Sequence, residues 1–214
     1  MTERERLQFI FINGRTSAGK DTQVEILEKE IPDSIRLSTG DIYRGARTPG
    51  GEYGQFHPIV APYVAAVDAG QLLPMDVVIE MAGAVIEDEI GKGRRAFIFT
   101  GFPRSIEQVE KVDEYLERLG SDFEVQVGHV CIAVTESLAK ERARIRRSQA
   151  VEKGETPRSD DMEEALDKRM EQYSSFTGPM FHHLANQKRL KIVRGDGTVN
   201  DVRSKIAKAL SHES

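Results

Sequence analysis

The segment at positions 7–12, LQFIFI, is apolar throughout and leads into a loop of small residues, which is followed by a helical pattern. In this loop Gly14, Gly19 and Lys20 have the spacing G-x-x-x-x-G-K, which between a strand and a helix predicts a phosphate-binding loop. Glycines allow backbone N–H groups to turn around phosphate oxygens, and the N-terminus of the following helix adds partial positive charge. For the motif alone, an ordinary glycine turn is the alternative interpretation.

Further apolar segments alternate with helical patterns along the chain. Strands without a polar face, separated by helices, indicate a parallel sheet that is covered on both sides, and so an α/β fold. Two stretches, 44–74 and 148–160, interrupt the alternation and are predicted to be insertions of the kind that often form lids. The predicted strands are 7–12, 35–38, 95–100, 125–134 and 190–193, and the predicted helices are 20–31, 76–90, 106–119, 136–147, a long helix from about 161 that bends near Pro179, and 199–210.

The composition is that of an ordinary globular protein, with 214 residues, 39% hydrophobic residues and a net charge of -5. The negative charge argues against a nucleic-acid partner, because domains that bind nucleic acid usually carry a basic face. No apolar run is long enough to span a membrane, and the first residues lack the form of a signal peptide. Cys131 is the single cysteine and is predicted to be a buried small hydrophobe, which fits a reducing cytoplasm.

Three other segments carry candidate binding residues. In LSTGDIYR, Thr39 and Arg44 follow a short strand, although this pattern, taken alone, favours a helix cap. In TGFPRSIEQ, Arg104 and Gln108 are predicted to lie on one helix face and to present a guanidinium to a phosphate and an amide to a base edge. The third group is a series of arginines whose alternative interpretation is a solvated helix face: Arg142, Arg146, Arg158 and Arg169.

Six segments occur in an order that resembles the adenylate kinase family of nucleoside monophosphate kinases: GRTSAGKDTQ, LSTGDIYR, VDAGQLLPMDVVIE, TGFPRSIEQ, PRSDD and KRMEQY. The resemblance implies a P-loop fold with a five-stranded parallel sheet, in a single domain over 1–214. It also implies a nucleoside monophosphate-binding insertion at about 40–70 and a short lid at about 147–160. Since this lid has no cysteine pairs, a structural zinc is excluded.

The resemblance implies reversible phosphoryl transfer from ATP to a nucleoside monophosphate, with Mg²⁺, by a cytoplasmic monomer whose partners are small nucleotides. AMP is the expected acceptor; UMP or CMP, or nucleotide binding without catalysis, are the alternatives. The implied catalytic residues are Lys20, Arg104, Arg146, Arg158 and Arg169. The implied ATP-binding residues are Gly14, Ser17, Ala18, Gly19, Lys20, Asp21, Thr22, Arg142 and Arg146, and the implied acceptor-binding residues are Thr39, Arg44, Gln71, Leu72, Leu73, Gly101, Phe102, Pro103, Arg104, Gln108, Arg158 and Arg169.

Two positions depart from the pattern that the resemblance implies. Asp21 stands where the family has glycine, and Thr100 stands where it has the aspartate that holds magnesium through water. A carboxylate about 5 Å from one phosphate charge is repelled by about 3 kcal/mol at an effective dielectric near 20, unless a cation lies between them. Our hypothesis is that Asp21 anchors magnesium, directly or through water. The alternative is that Asp21 pairs with a nearby cation at the helix N-terminus.

Overall fold

The computed structural model describes residues 4–68, 73–156 and 162–211. These contain a parallel five-stranded sheet of order β2-β3-β1-β4-β5, which confirms the predicted fold class. Because all strands run the same way, their carboxyl ends share one edge, where β1 ends at the phosphate loop and β3 ends at Thr100. The strands are β1 (Arg6–Gly14), β2 (Ser34–Leu37), β3 (Ala96–Thr100), β4 (Glu124–Ala133) and β5 (Leu190–Arg194).

Helices lie between the strands and differ from the predictions in three places. The first predicted insertion folds into short helices, and residues 148–152 of the second continue a long helix. The helix predicted from about 161 is interrupted by a π-helical turn at Tyr173–Thr177, and Pro179 lies in the first turn of the next helix. The helices are α1 (Lys20–Glu30), α2 (Thr39–Ala46), α3 (His57–Val60), α4 (Val64–Asp68), α5 (Met75–Gly91), α6 (Ile106–Leu119), α7 (Glu136–Glu152), α8 (Glu163–Gln172), α9 (Gly178–Asn186) and α10 (Val199–Leu210).

The sheet buries both of its faces, as its apolar strands require. Alternate residues of β1 point to opposite sides, so that Phe9 and Phe11 join one core while Ile10 and Ile12 join the other. The first core is packed by α2, α5 and α6, and the second by α1 and α10. None of the helices in the described ranges is both long and apolar enough to cross a membrane.

One polar side chain, His129 of β4, is buried in the aromatic face of the sheet. Its ring stacks on Phe11 with 4.8 Å between centroids, and among the described residues neither ring nitrogen has a hydrogen-bond partner. The pKa of His129 is lowered to about 4, chiefly by burial and also by the charge of Arg189, while the charge of Asp113 opposes the shift. Arg189 and Asp113 are themselves joined, with 2.5 Å between Nη2 and Oδ1. The imidazole is therefore neutral in the folded protein at neutral pH.

This burial predicts a pH-dependent loss of stability. As the pH falls below about 6.5 the unfolded chain protonates His129, while the folded protein does so only near its pKa of about 4. Stability is therefore lost progressively across that window. Between about pH 7.5 and about pH 5, wild type should lose about 2 kcal/mol more unfolding free energy than His129→Leu, measured by urea unfolding. Parallel losses in the two proteins would contradict a depressed pKa for His129.

Candidate nucleotide-binding and phosphoryl-transfer site

The loop after β1 has the backbone shape that a phosphate loop requires. Gly14, Ser17 and Gly19 have positive φ angles of 147°, 58° and 91°. A Cβ atom on Gly14 would lie 2.5 Å from the carbonyl oxygen of Ile132, so that no larger residue fits between β1 and β4 here. Gly19 is the N-cap of α1, which places the helix N-terminus at the loop, with Lys20, Asp21 and Thr22 in its first turn. Such a terminus favours an anion.

Lys20 is held inside this loop. Its Nζ donates hydrogen bonds to the carbonyl oxygens of Gly14, at 3.1 Å, and Arg15, at 2.7 Å. Burial lowers its pKa to about 8; Asp21 opposes this shift, while Arg104 and Arg169 add to it. The charged form of Lys20 is therefore disfavoured within the loop, and the negative charge of a bound phosphate would stabilise it.

Guanidinium groups from three other segments surround the loop. Burial, and then the charge of Arg169, lower the pKa of Arg104. The Nη2 atom of Arg146 donates to Ser17 Oγ at 3.1 Å. Arg142 lies at the end of the loop, where its Nη1 is 3.5 Å from the carbonyl oxygen of Ala18. The structure therefore brings these predicted cations together, which is the arrangement expected around a polyphosphate.

The turn between β3 and α6 contains the predicted acceptor residues. Phe102 is buried against Phe11 and Phe99, and its peptide bond to Pro103 is cis. Arg104 lies before α6 and not on it, because Ser105 caps that helix; the prediction of a shared helix face for Arg104 and Gln108 was wrong in this respect.

Backbone groups hold the side chains of this turn. The guanidinium of Arg104 donates from Nε to the carbonyl oxygen of Gly101. The backbone N–H of Arg104 donates to Gln108 Oε1 at 2.6 Å, which fixes the amide group of Gln108. The turn therefore orients both polar side chains that the sequence assigned to acceptor binding.

Other predicted acceptor residues are not gathered at this cluster. Thr39 begins α2, whose N-cap is Ser38, and Arg44 is 66% exposed and paired with Asp41 of the same helix. Leu73 precedes α5 and packs against the first core. Three further predicted residues lie outside the described residues: Gln71, Leu72 and Arg158.

Sequence reasoning missed Asn13, at the end of β1. Asn13 is 3% exposed, and its Nδ2 donates to the carbonyl oxygen of Phe102 at 3.1 Å. This bond joins the phosphate-loop strand to the acceptor turn. The available signal was an amide side chain directly after an apolar strand, because a buried polar group needs a partner.

The two departures from the family pattern meet in space. Thr100 lies at the end of β3 and Asp21 lies in the first turn of α1. The Thr100 hydroxyl donates to Asp21 Oδ1 at 3.1 Å. The carboxylate is thus fixed at the gap between β3 and the phosphate loop, next to Lys20.

Comparison with known proteins supports this interpretation of the site. The family model described as Adenylate kinase matches residues 12–189. An adenylate kinase of Deinococcus deserti is 35% identical over 212 residues, covering 98% of this chain and all of the relative. One of Rhizobium meliloti is 34% identical over 96% of the chain and 100% of the relative, and one of Jannaschia sp. is 33% identical over 94% and 98%. With this coverage, and with the phosphate loop and its arginines in place, the chain belongs to the adenylate kinase family.

Proposed function

We propose that the chain transfers a phosphoryl group from ATP to AMP, giving two ADP, and that the cations clustered at its phosphate loop carry the transfer. Membership of the family supports the reaction and does not favour a protein that only binds nucleotides. The observation that carries the proposal is that Lys20 and Arg146 form hydrogen bonds within the phosphate loop, where the charges of Arg104 and Arg169 also act on Lys20. Mere binding does not require so many cations at one point.

The chemistry of phosphoryl transfer explains what these cations do. The transition state spreads negative charge over the equatorial oxygens and needs in-line positioning, with little covalent help from side chains. In our proposal Lys20 and Arg146 hold the donor phosphates, while Arg104 and Arg169 neutralise charge on the group in transit. Hydrogen bonds within the loop and the turn hold Lys20, Arg146 and Arg104 in place before a nucleotide binds, so that these cations stabilise the developing charge without further reorganisation. We assign Arg158 to the same group on the resemblance alone.

Magnesium, when bound, would supply positive charge that neutralises the donor phosphates. The residues that would hold it are Asp21 and Thr100, whose carboxylate and hydroxyl supply the hard oxygen ligands that Mg²⁺ prefers. The described residues contain no group of three or more His, Cys, Asp or Glu that could hold a metal ion. Water and substrate phosphates would supply the other oxygen ligands, as is usual for Mg²⁺.

Gln108 supports AMP as the acceptor. Because its Oε1 accepts the Arg104 N–H, its NH₂ group is the end that faces away from the turn. An NH₂ group pairs with the N1 acceptor of adenine, whereas uracil presents an N–H at the corresponding position and would oppose donor to donor. In this proposal Arg44 and Thr39 turn towards the acceptor phosphate when AMP binds.

We further propose that the enzyme is a monomer in a reducing cytoplasm. Cys131 is 4% exposed, and burial chiefly raises its pKa to about 11. It therefore stays a thiol at neutral pH and is not a nucleophile, as the sequence predicted.

Coupled assays of ADP production with ATP and each of AMP, CMP and UMP test the function and its acceptor. We expect AMP to be preferred, and Gln108→Ala to lower kcat/KM for AMP by about 1–3 kcal/mol in transition-state free energy, because a base edge loses its partner. The dissociation constant for ATP serves as the control and should stay nearly constant. Equal wild-type activity on CMP or UMP would contradict adenine selection, and no turnover with any acceptor would defeat the enzyme proposal.

The lowered pKa of Lys20 predicts that ATP affinity declines at alkaline pH. Above its pKa of about 8 the ammonium loses its proton and its attraction for phosphate. The dissociation constant for ATP, measured by calorimetry, should therefore rise up to about tenfold per pH unit above that point. Lys20→Arg is the matched control, since a guanidinium stays charged, and its affinity should remain constant to about pH 9.5. A wild-type constant that is flat over this range would contradict the assignment.

The Asp21–Thr100 contact predicts how activity depends on magnesium. Asp21→Gly removes the carboxylate nearest the loop, so the magnesium concentration for half-maximal kcat should rise. Adding Thr100→Asp to that variant should restore the wild-type dependence, because it returns a carboxylate to the same gap. Thr100→Asp alone places two carboxylates there and should help less. Magnesium titrations of kcat for the four proteins decide the point. If the curve of Asp21→Gly coincides with that of wild type, Asp21 interacts with the helix terminus and does not bind the metal.

A further inference from the structure

Arg15 lies in the phosphate loop, yet none of the roles above uses its side chain. We infer that Arg15 is a positioning residue that clamps the phosphate loop to the π-helical turn at Tyr173–Thr177, and so fixes Lys20 and Arg169 relative to each other. This inference rests on the proposed function, since it concerns how the transfer site is held together.

The guanidinium of Arg15 makes contacts across the chain. Its Cζ lies 4.6 Å from the centroid of the Tyr173 ring, a cation–π geometry, and the side chain is only 23% exposed. Its Nη1 is 4.0 Å from the sulfur of Met170 and 3.8 Å from Glu136 Oε2. Arg15 therefore reaches α7, α8 and the π-helical turn from within the loop.

Tyr173 is a rigid platform for this cation. Its ring packs edge-on against Phe181 at 5.8 Å between centroids, and burial, followed by the nearby Cys131, raises the pKa of its hydroxyl. Cys131 pairs with Asn13 in the sheet register, directly before the phosphate loop. Tyr173 is thus held between Arg15 of the phosphate loop and Phe181 of α9, close to the end of β4.

The backbone of Arg15 links the clamp to Lys20. The carbonyl oxygen of Arg15 accepts the 2.7 Å hydrogen bond from Lys20 Nζ, and also accepts the N–H of Ala18 at 3.2 Å. The position of Arg15 therefore sets the position of the ammonium group.

The ring of Tyr173 links the clamp to Arg169. Tyr173 follows Arg169 by one helical turn, so a ring held by Arg15 also holds the end of α8. Lys20 and Arg169 repel each other, so a contact between the phosphate loop and the end of α8 is needed to hold the two cations close together.

The clamp requires an arginine and an aromatic ring. A planar guanidinium stacks on a ring face, whereas a lysine ammonium is a compact, strongly hydrated point charge. We therefore expect Arg15→Met and Tyr173→Leu each to lower kcat about tenfold, with a much smaller change in KM for AMP. The kcat of Arg15→Lys should be nearly as low as that of Arg15→Met. The kcat of Tyr173→Phe, which keeps the ring, should be close to that of wild type.

A double variant tests whether the two side chains act as one unit. Arg15→Met combined with Tyr173→Leu should be no slower than either single variant, because one contact is lost only once. The matched control is Arg118→Met, which removes a cation stacked at 5.6 Å on Tyr115, away from the loop, and should leave kcat unchanged. The clamp would be overturned if the kcat of the double variant fell by the product of the two single losses, or if the kcat of Arg15→Met equalled that of wild type.

Two further measurements keep the result unambiguous. Urea unfolding of each variant separates positioning from stability: a lowered unfolding free energy with unchanged kcat makes Arg15 a structural residue and overturns the inference. Calorimetry with ATP needs no turnover; displacement of Lys20 by Arg15→Met should weaken ATP binding by about threefold to tenfold, and unchanged ATP affinity counts against the clamp. If wild type shows no acceptor-dependent ADP production, the proposed function fails, while the ATP measurement still decides the clamp.

Discussion

The mutual repulsion of cations at one edge of the sheet is the constraint on which the rest of this structure depends. Burial lowers the pKa of Lys20 to about 8, and the nearby charges of Arg104 and Arg169 contribute to this lowering. Phosphoryl transfer needs such a concentration of positive charge, because the migrating group carries negative charge that water would otherwise solvate. Folding must therefore hold together groups that repel one another until a nucleotide joins them.

The parallel sheet supplies the rigidity that this requires. β1, β3 and β4 end at the same edge, so that a short loop from each reaches the site while the strands stay locked in register. Contacts between the loops then set the spacing. Asn13 bonds the acceptor turn to β1, and Gly14 lets the phosphate loop approach the backbone of β4. Contacts between uncharged groups thus fix the positions of the segments that carry the cations.

The sheet and the phosphate loop were predictable from local signals, whereas the contacts between segments were not. Apolar strands and a glycine spacing are contained in short stretches of sequence; the strands were confirmed, and Gly14 and Gly19 have the positive φ angles that such a loop needs. The amide of Gln108 accepts the backbone N–H of Arg104, a contact that is possible because α6 begins only at Ile106. The clamp joins Arg15 to Tyr173, which is far from it in the sequence. The extension of α7 to Glu152 was missed because its last turns are polar and lack an apolar stripe.

The contact between Asp21 and Thr100 shows how such a site can accept a carboxylate next to phosphates. The two positions face each other across one gap, so a carboxylate at either of them lies close to the same place. At position 21 it also stands in the first turn of α1, where the helix terminus favours negative charge. Burial lowers the pKa of Lys20, and Asp21 is the group that most opposes this, while Arg104 and Arg169 add to the lowering. The repulsion of about 3 kcal/mol expected from a bare phosphate neighbour is therefore offset by the cations that make the site attractive to phosphate.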